Sequence, residues 1–269
     1  MPPDDYNTSP LSHAVPGEQQ RLLLLEQVLD PISRQHLRCC RIARDWRCLE
    51  VGAGSGSIAR WLAEQCPEGE VVATDMDTRF LPHRDNRMNV QVREHDVRTD
   101  NFPSSSFDLI HTRAVLIHIP ERDRIIARLA SWLRPGGLLV IEEPYFLGYD
   151  DCAHPTFGAA LRAMARLMAD TVGTDMTWAR RLPATLHAHD LTVEAKTLSA
   201  VVAGGTDTPA DRLWRATADQ LRAALITSGL LAPEELERFY DLLDQPDFLE
   251  IAFCLSSVTA RRYGQGASA

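Results

Sequence analysis

Leu49-Glu50-Val51-Gly52-Ala53-Gly54-Ser55-Gly56-Ser57 is the stretch on which the fold turns. The run Arg47 to Val51 reads as a strand, and the glycines after it form a tight turn. From Ser57 to Cys66 a helix is expected, with Ile58, Trp61, Leu62 and Cys66 on one face. Strand, glycine turn and helix in that order bring backbone N–H groups and the positive end of a helix dipole up to a ligand. Dinucleotide-binding turns read GxGxxG, and their third glycine falls where this chain has Ser57. Here the spacing is GxGxG, and it follows the acidic Glu50.

Downstream, apolar runs alternate with amphipathic stretches. Val71 to Thr74, Val90 to Arg93, Phe107 to Thr112 and Leu138 to Glu142 read as strands, and Glu121 to Leu133 as a helix burying Ile125, Ile126, Leu129 and Leu133. Such alternation over about a hundred residues predicts an α/β, Rossmann-like parallel sheet covered on both faces. Upstream, residues 1–16 carry four prolines and read as a mobile or draped arm. Gln19 to Leu29 reads as a helix, and Asp30-Pro31 as the start of a second one. After Pro144 the alternation stops. Helical stretches are expected around Phe157 to Met168, at Trp178 to Ala188, and as a pair bearing Trp214 and Phe239; strands are expected at Leu191 to Val202 and Phe248 to Thr259. The chain thus divides into an N-terminal arm with helices (1–46), a core (47–143), a helical lid insertion (144–190), and final strands (191–269) carrying a second helical insertion at about 204–247.

The 269 residues are 45% apolar and 24% charged, ordinary globular values that exclude wholesale disorder. The longest unbroken apolar runs are a few residues, far short of the roughly 20 that a membrane span needs, and no secretory leader is read at the start. A net charge of −9 argues against a nucleic-acid partner. A single lysine, Lys196, against 27 arginines points to a GC-rich, bacterial genome. Six cysteines without a CxxC motif read as free thiols in a reducing cytoplasm. His187, His189 and Asp190 have no further ligand at metal spacing, so no metal is expected. A small-molecule partner is expected, and a homodimer stays open.

Three carboxylates give the glycine turn its chemical sense. Beside Glu50 a pyrophosphate is disfavoured, whereas a zwitterionic, sulfonium-bearing ligand is accommodated. Asp75 ends the second strand, 19 residues past Gly56, where a carboxylate accepts hydrogen bonds from both ribose hydroxyls or merely caps the next segment. Met76 beside it suits a purine face or plain core. Asp96 follows the third strand and can accept from an exocyclic amine while the next backbone N–H meets a ring nitrogen, or it is a solvated loop residue.

Together, LEVGAGSGS (49–57), ATDMD (73–77), HDV (95–97), FDLIHTRAVLIHIP (107–120) and LRPGGLLVIEE (133–143) resemble the class I S-adenosylmethionine-dependent methyltransferases. The likeness is nearest to bacterial enzymes that methylate small molecules in natural-product and antibiotic pathways. It implies a seven-stranded sheet whose last strand, Phe248 to Thr259, is antiparallel. It implies that Glu50 with Gly52, Gly54 and Gly56 holds the methionine portion, Asp75 the ribose, and Asp96 with Val97 the adenine. Backbone around Thr112 to Ala114 would face the methionine amine and the transferring methyl. Residues 113–118 lack the Asn-Pro-Pro-Tyr type motif of amino-adenine and glutamine methylases, which argues against those substrates.

Catalytic candidates are His118, Glu143 and Arg113. His118 is either a base or a loop tie; Arg113 either meets a substrate or cofactor acid or forms a structural pair. Glu142 and Glu143 lie on opposite strand faces, so at most one serves the site. His111, within a strand, reads as structural. Tyr145 and Phe157 are expected to contact a mostly apolar or aromatic acceptor beneath the two helical insertions, with Tyr145 mattering more to turnover than Trp214. Two other readings stay open: an NAD(P)-dependent oxidoreductase, opposed by Ser57 and Glu50, and a non-methylating binder of the same cofactor, either a regulator or a cyclisation catalyst.

Overall fold

Every strand expected from the apolar runs forms. They are β1 (Arg47–Val51), β2 (Glu70–Asp75), β3 (Val90–Glu94), β4 (Phe107–Arg113), β5 (Leu133–Tyr145), β6 (Leu191–Gly204) and β7 (Leu249–Arg262) in a computed structural model that describes residues 9–81 and 89–263. The first eight residues of the expected arm therefore lie outside the described residues. The strands make one seven-stranded sheet in the order β3-β2-β1-β4-β5-β7-β6. Pairing is parallel through β5, while β7 runs antiparallel to both β5 and β6. The chain reverses its direction of winding between β1 and β4, and loops leaving those two strands part to form a crevice at their carboxyl ends.

Helices α1 (Glu18–Arg38) and α2 (Ser57–Gln65) pack on one face of the sheet. Helix α3 (Arg122–Trp132) and the short α5 (Leu182–Ala188) cover the other. Helices α4 (Pro155–Val172), α6 (Pro209–Thr227) and α7 (Pro233–Leu243) form a separate apolar layer around Phe157, Phe239 and Phe248 beyond the carboxyl edge.

One local expectation fails. Helix α1 runs unbroken through Pro31, although an interior proline loses one backbone hydrogen bond and costs about 3 kcal/mol. Packing overrides that local cost. Leu29 and Leu37 are fully buried, and Asp30, Ser33 and His36 of the same helix bond partners on the sheet and on α2. The Trp178 to Ala188 stretch also divides into a single 3-10 turn, Trp178–Arg180, and α5.

Candidate active site

A cavity of about 590 Å³ opens beyond the carboxyl ends of β1, β2, β4 and β5, closed above by α1, α4 and α6. The glycine turn forms its floor. Gly52 has φ +69°, and a Cβ there would come within 2.2 Å of Val115 Cγ2, so only glycine lets the two loops meet. The Gly54 N–H donates to Asp75 Oδ2 at 2.9 Å and the Asp77 N–H to Oδ1 at 3.1 Å. Each carboxylate oxygen keeps a second lone pair for a ligand hydroxyl. Burial raises the Asp75 carboxyl above its ordinary value, opposed by nearby His13 and by those two N–H groups. The cap of the following turn is Asp77, which accepts from the Arg79 N–H, so Asp75 does not serve as that cap.

The N-terminus of α2 is already filled by acids of α1. Glu26 Oε1 accepts from Ser55 Oγ at 2.5 Å and from the Ser57 N–H at 3.3 Å, and Asp30 Oδ1 accepts from Ser57 Oγ at 2.9 Å. A pyrophosphate at this helix end would meet two carboxylates in the place where it needs donors. This arrangement disfavours a dinucleotide more strongly than Ser57 and Glu50 alone do.

Met76, Asp96 and Val97 line one end of the cavity, with the His95 ring behind them stacked on Phe102 at 4.7 Å. Arg98 chelates Asp96 through Nε and Nη2 at 3.0 and 2.9 Å. Burial works against the Asp96 charge, but Arg98 wins and holds its carboxyl below the usual range. Glu50 lines the opposite wall and bonds His111. Gly56 is the left-handed residue that starts α2 and lies off the cavity. Thr112 is buried in β4, also off the cavity; Ala114 reaches it, with its N–H committed to the Glu142 carbonyl.

The catalytic candidates separate. His118 lines the cavity and its Nδ1 lies 2.8 Å from Thr174 Oγ1; burial, then the positive charges of Arg21 and Arg122, push its pKa down to about 3. Arg113 also lines the cavity, but its guanidinium is bonded to Ser33 and, at 3.0 Å, to Asp30. Glu143 is not at the cavity. It is fully buried on the α3 side and accepts the Leu116 N–H at 2.8 Å, fastening the loop after β4, and burial raises its carboxyl to about 8. Glu142 points to the other face, toward His111 and Ser257.

Tyr145 and Phe157 do not line the cavity. Tyr145 shares the Glu143 face by strand alternation, and the Arg180 guanidinium covers its ring at 5.0 Å. Phe157 faces inward within the helical layer and stacks on Phe239 at 5.8 Å. Phe146, Tyr149, Met164, Met168, Trp214 and Phe253 form the apolar lobe instead. Residues the sequence reading missed come chiefly from the arm and α1: Leu11, His13, Arg21, Leu22 and Glu26 all line the cavity. Glu26 and Asp30 are one helical turn apart, a spacing that reads as a solvated face until a partner packs on it. His187 and His189 lie off the cavity.

Residues 49–141 match a family described as a methyltransferase domain. Two curated relatives align over the same region. Methyltransferase str3 from Strobilurus tenacellus is 35% identical over 102 residues, covering 38% of this chain and 36% of its own length. Trans-aconitate 2-methyltransferase from Deinococcus radiodurans is 30% identical over 108 residues, covering 39% of this chain and 40% of its own. The match thus spans well under half of either relative. Among solved structures, the YcgJ protein from Bacillus subtilis superposes with a TM-score of 0.58 at 17% identity, covering 86% of this chain and 97% of that one. Sheet order, glycine turn, acidic strand ends and family match agree: residues 49–141 match a methyltransferase domain, set in a fold similar to that of the class I S-adenosylmethionine-dependent methyltransferases.

Proposed function

We propose that the protein transfers the methyl group of S-adenosylmethionine to a small, mostly apolar or aromatic acceptor. The observation that carries this reading is one continuous cavity, running from the glycine turn and Asp75 into a lobe of Met164, Met168, Met176, Phe146 and Trp214. The residues present suit the cofactor. Asp75 would offer lone pairs to the ribose, Asp96 and Val97 would hold the adenine, and Glu50 would face the cationic methionine end. Bound there, the cofactor supplies an already activated methyl group, so the protein's work is alignment and exclusion of water. The helical layer closes the lobe from above. Neutral His118, held by Thr174, orients an acceptor hydroxyl through a hydrogen bond; so low a pKa makes it a weak proton store.

Three of the four arginines at the cavity are engaged by acids, which supports an uncharged acceptor over a polycarboxylate, and Arg124 is the fourth. Arg21 bonds Glu18 twice at 2.7 Å, and Arg98 and Arg113 bond Asp96 and Asp30. The arginine usage supports a bacterial host, and an acceptor of this kind suits secondary metabolism. The six cysteines are all free, which supports a cytoplasmic setting, and no described helix is long and apolar enough to cross a membrane.

Calorimetry and melting curves test the reading. S-adenosylhomocysteine should bind and stabilise by about 2.7 kcal/mol at a hundred times its Kd, while NADH should do neither. Asp75→Ala should weaken that binding by about 1.5–3 kcal/mol with the fold intact. Binding of NADH in place of S-adenosylhomocysteine would refute the cofactor assignment. A turnover screen of phenols against polycarboxylates, read as S-adenosylhomocysteine formed, then tests the acceptor class.

A further inference from the structure

We propose that His111 is a positioning residue for the cofactor's amino-acid end: clamped between Glu50 and Glu142 as an imidazolium, it aims the Glu50 carboxylate at the cavity, leaving a buried trio with one net negative charge to meet the ligand's ammonium. The proposal rests on the cofactor reading above.

The geometry fits the charge. His111 is fully buried, with Nδ1 2.7 Å from Glu50 Oε2 and Nε2 3.2 Å from Glu142 Oε2. A neutral imidazole has one donor and one acceptor, and two ionised carboxylates can only accept. Both ring nitrogens therefore carry hydrogens. Burial opposes the cation, but the Glu50 charge and the bonds to both acids outweigh it and raise the pKa to about 9. Glu142 is held down to about 2: burial alone would raise it, but His111 and the Ser257 hydroxyl, which donates at 2.6 Å, prevail.

The surrounding groups leave the count unchanged. From α1, His36 faces the same pair; burial lowers its pKa, and its ring bonds Thr259 of β7 and Thr197 of β6. Ser33 of α1 also reaches Glu142. Arg113, two residues along β4, is balanced by Asp30. Two carboxylates and one imidazolium sum to −1. Glu142 is closed off inside the core, so the uncompensated charge is expressed at Glu50, which lines the cavity.

Two measurements test this. Nitrogen-15 NMR of histidine-labelled wild type should show one imidazolium persisting at pH 8, a signal absent from His111→Gln; neutral rings throughout at pH 8 would overturn the proposal, whether or not the variant folds. His111→Gln keeps a donor for Glu50 but removes the charge. It should weaken S-adenosylhomocysteine at least tenfold at pH 7, while 5′-methylthioadenosine, which lacks the amino-acid end, binds within twofold of wild type. Equal losses for both ligands would make His111 a structural residue only, and no loss for either would remove its role. Wild-type protein that binds neither ligand would instead condemn the cofactor reading itself, a distinct result.

Discussion

Glu143 shows how one side chain can lie beside an active site and act only through the backbone. Its Oε1 accepts the Leu116 N–H, and its Oε2 has no partner among the described residues. The adjacent acid, Glu142, faces the other side of the sheet, so the strand period of two separates the pair as sequence alone requires. Sequence could not say that neither would reach the cavity, because that depends on which loop packs over each. With its folded pKa raised to about 8, from a usual 4.5, Glu143 keeps a proton that the unfolded chain has released. The Glu143 contribution to stability should therefore fall as pH rises between those values, by about 1 kcal/mol per unit. Glu143→Gln removes that slope. Urea unfolding at pH 5.5, 6.5 and 7.5 should show the variant gaining on wild type as pH rises; parallel curves would mean that Glu143 is already ionised.

At the scale of elements, the two helical insertions and α1 behaved differently from their sequence signals. Trp214 reads from sequence as packing, yet it lies at the cavity wall in contact with Phe253, its indole N–H buried and without a partner among the described residues. Tyr145 sits on the far face of β5 under Arg180. On this placement we expect Trp214, rather than Tyr145, to govern acceptor kinetics. Trp214→Ala should raise the acceptor KM and cost about 3–5 kcal/mol of stability, while Tyr145→Ala leaves acceptor kinetics near wild type. Trp214→Phe, which keeps most of the bulk, should recover most of the stability. Steady-state kinetics and denaturant melts on the three variants decide between the rankings. Helix α1 likewise read as an apolar stripe broken at Pro31, and only packing shows its polar residues Glu26, Asp30, Ser33 and His36 bonding α2, β4 and β7.

For the whole molecule, the site is completed by chain from both ends. Leu11 and His13 of the arm line the cavity, and His13 Nδ1 lies 2.8 Å from the Asp77 carbonyl. Removing residues 1–16 should therefore speed cofactor release several-fold, read by stopped-flow displacement of S-adenosylhomocysteine, while circular dichroism stays native; an unchanged off-rate would make the arm a bystander. The sequence by itself determined the parallel core, the glycine turn and the acidic strand ends, because periodicity, a steric demand for glycine and strand-end position are all local. Only the tertiary structure decided that α1 caps α2 with Glu26 and Asp30, that His111 holds Glu50, and that Trp214 rather than Tyr145 lines the apolar lobe of the cavity. Those contacts join residues far apart in the chain, and a side chain's direction at such a meeting is set by packing between elements, which no local pattern records.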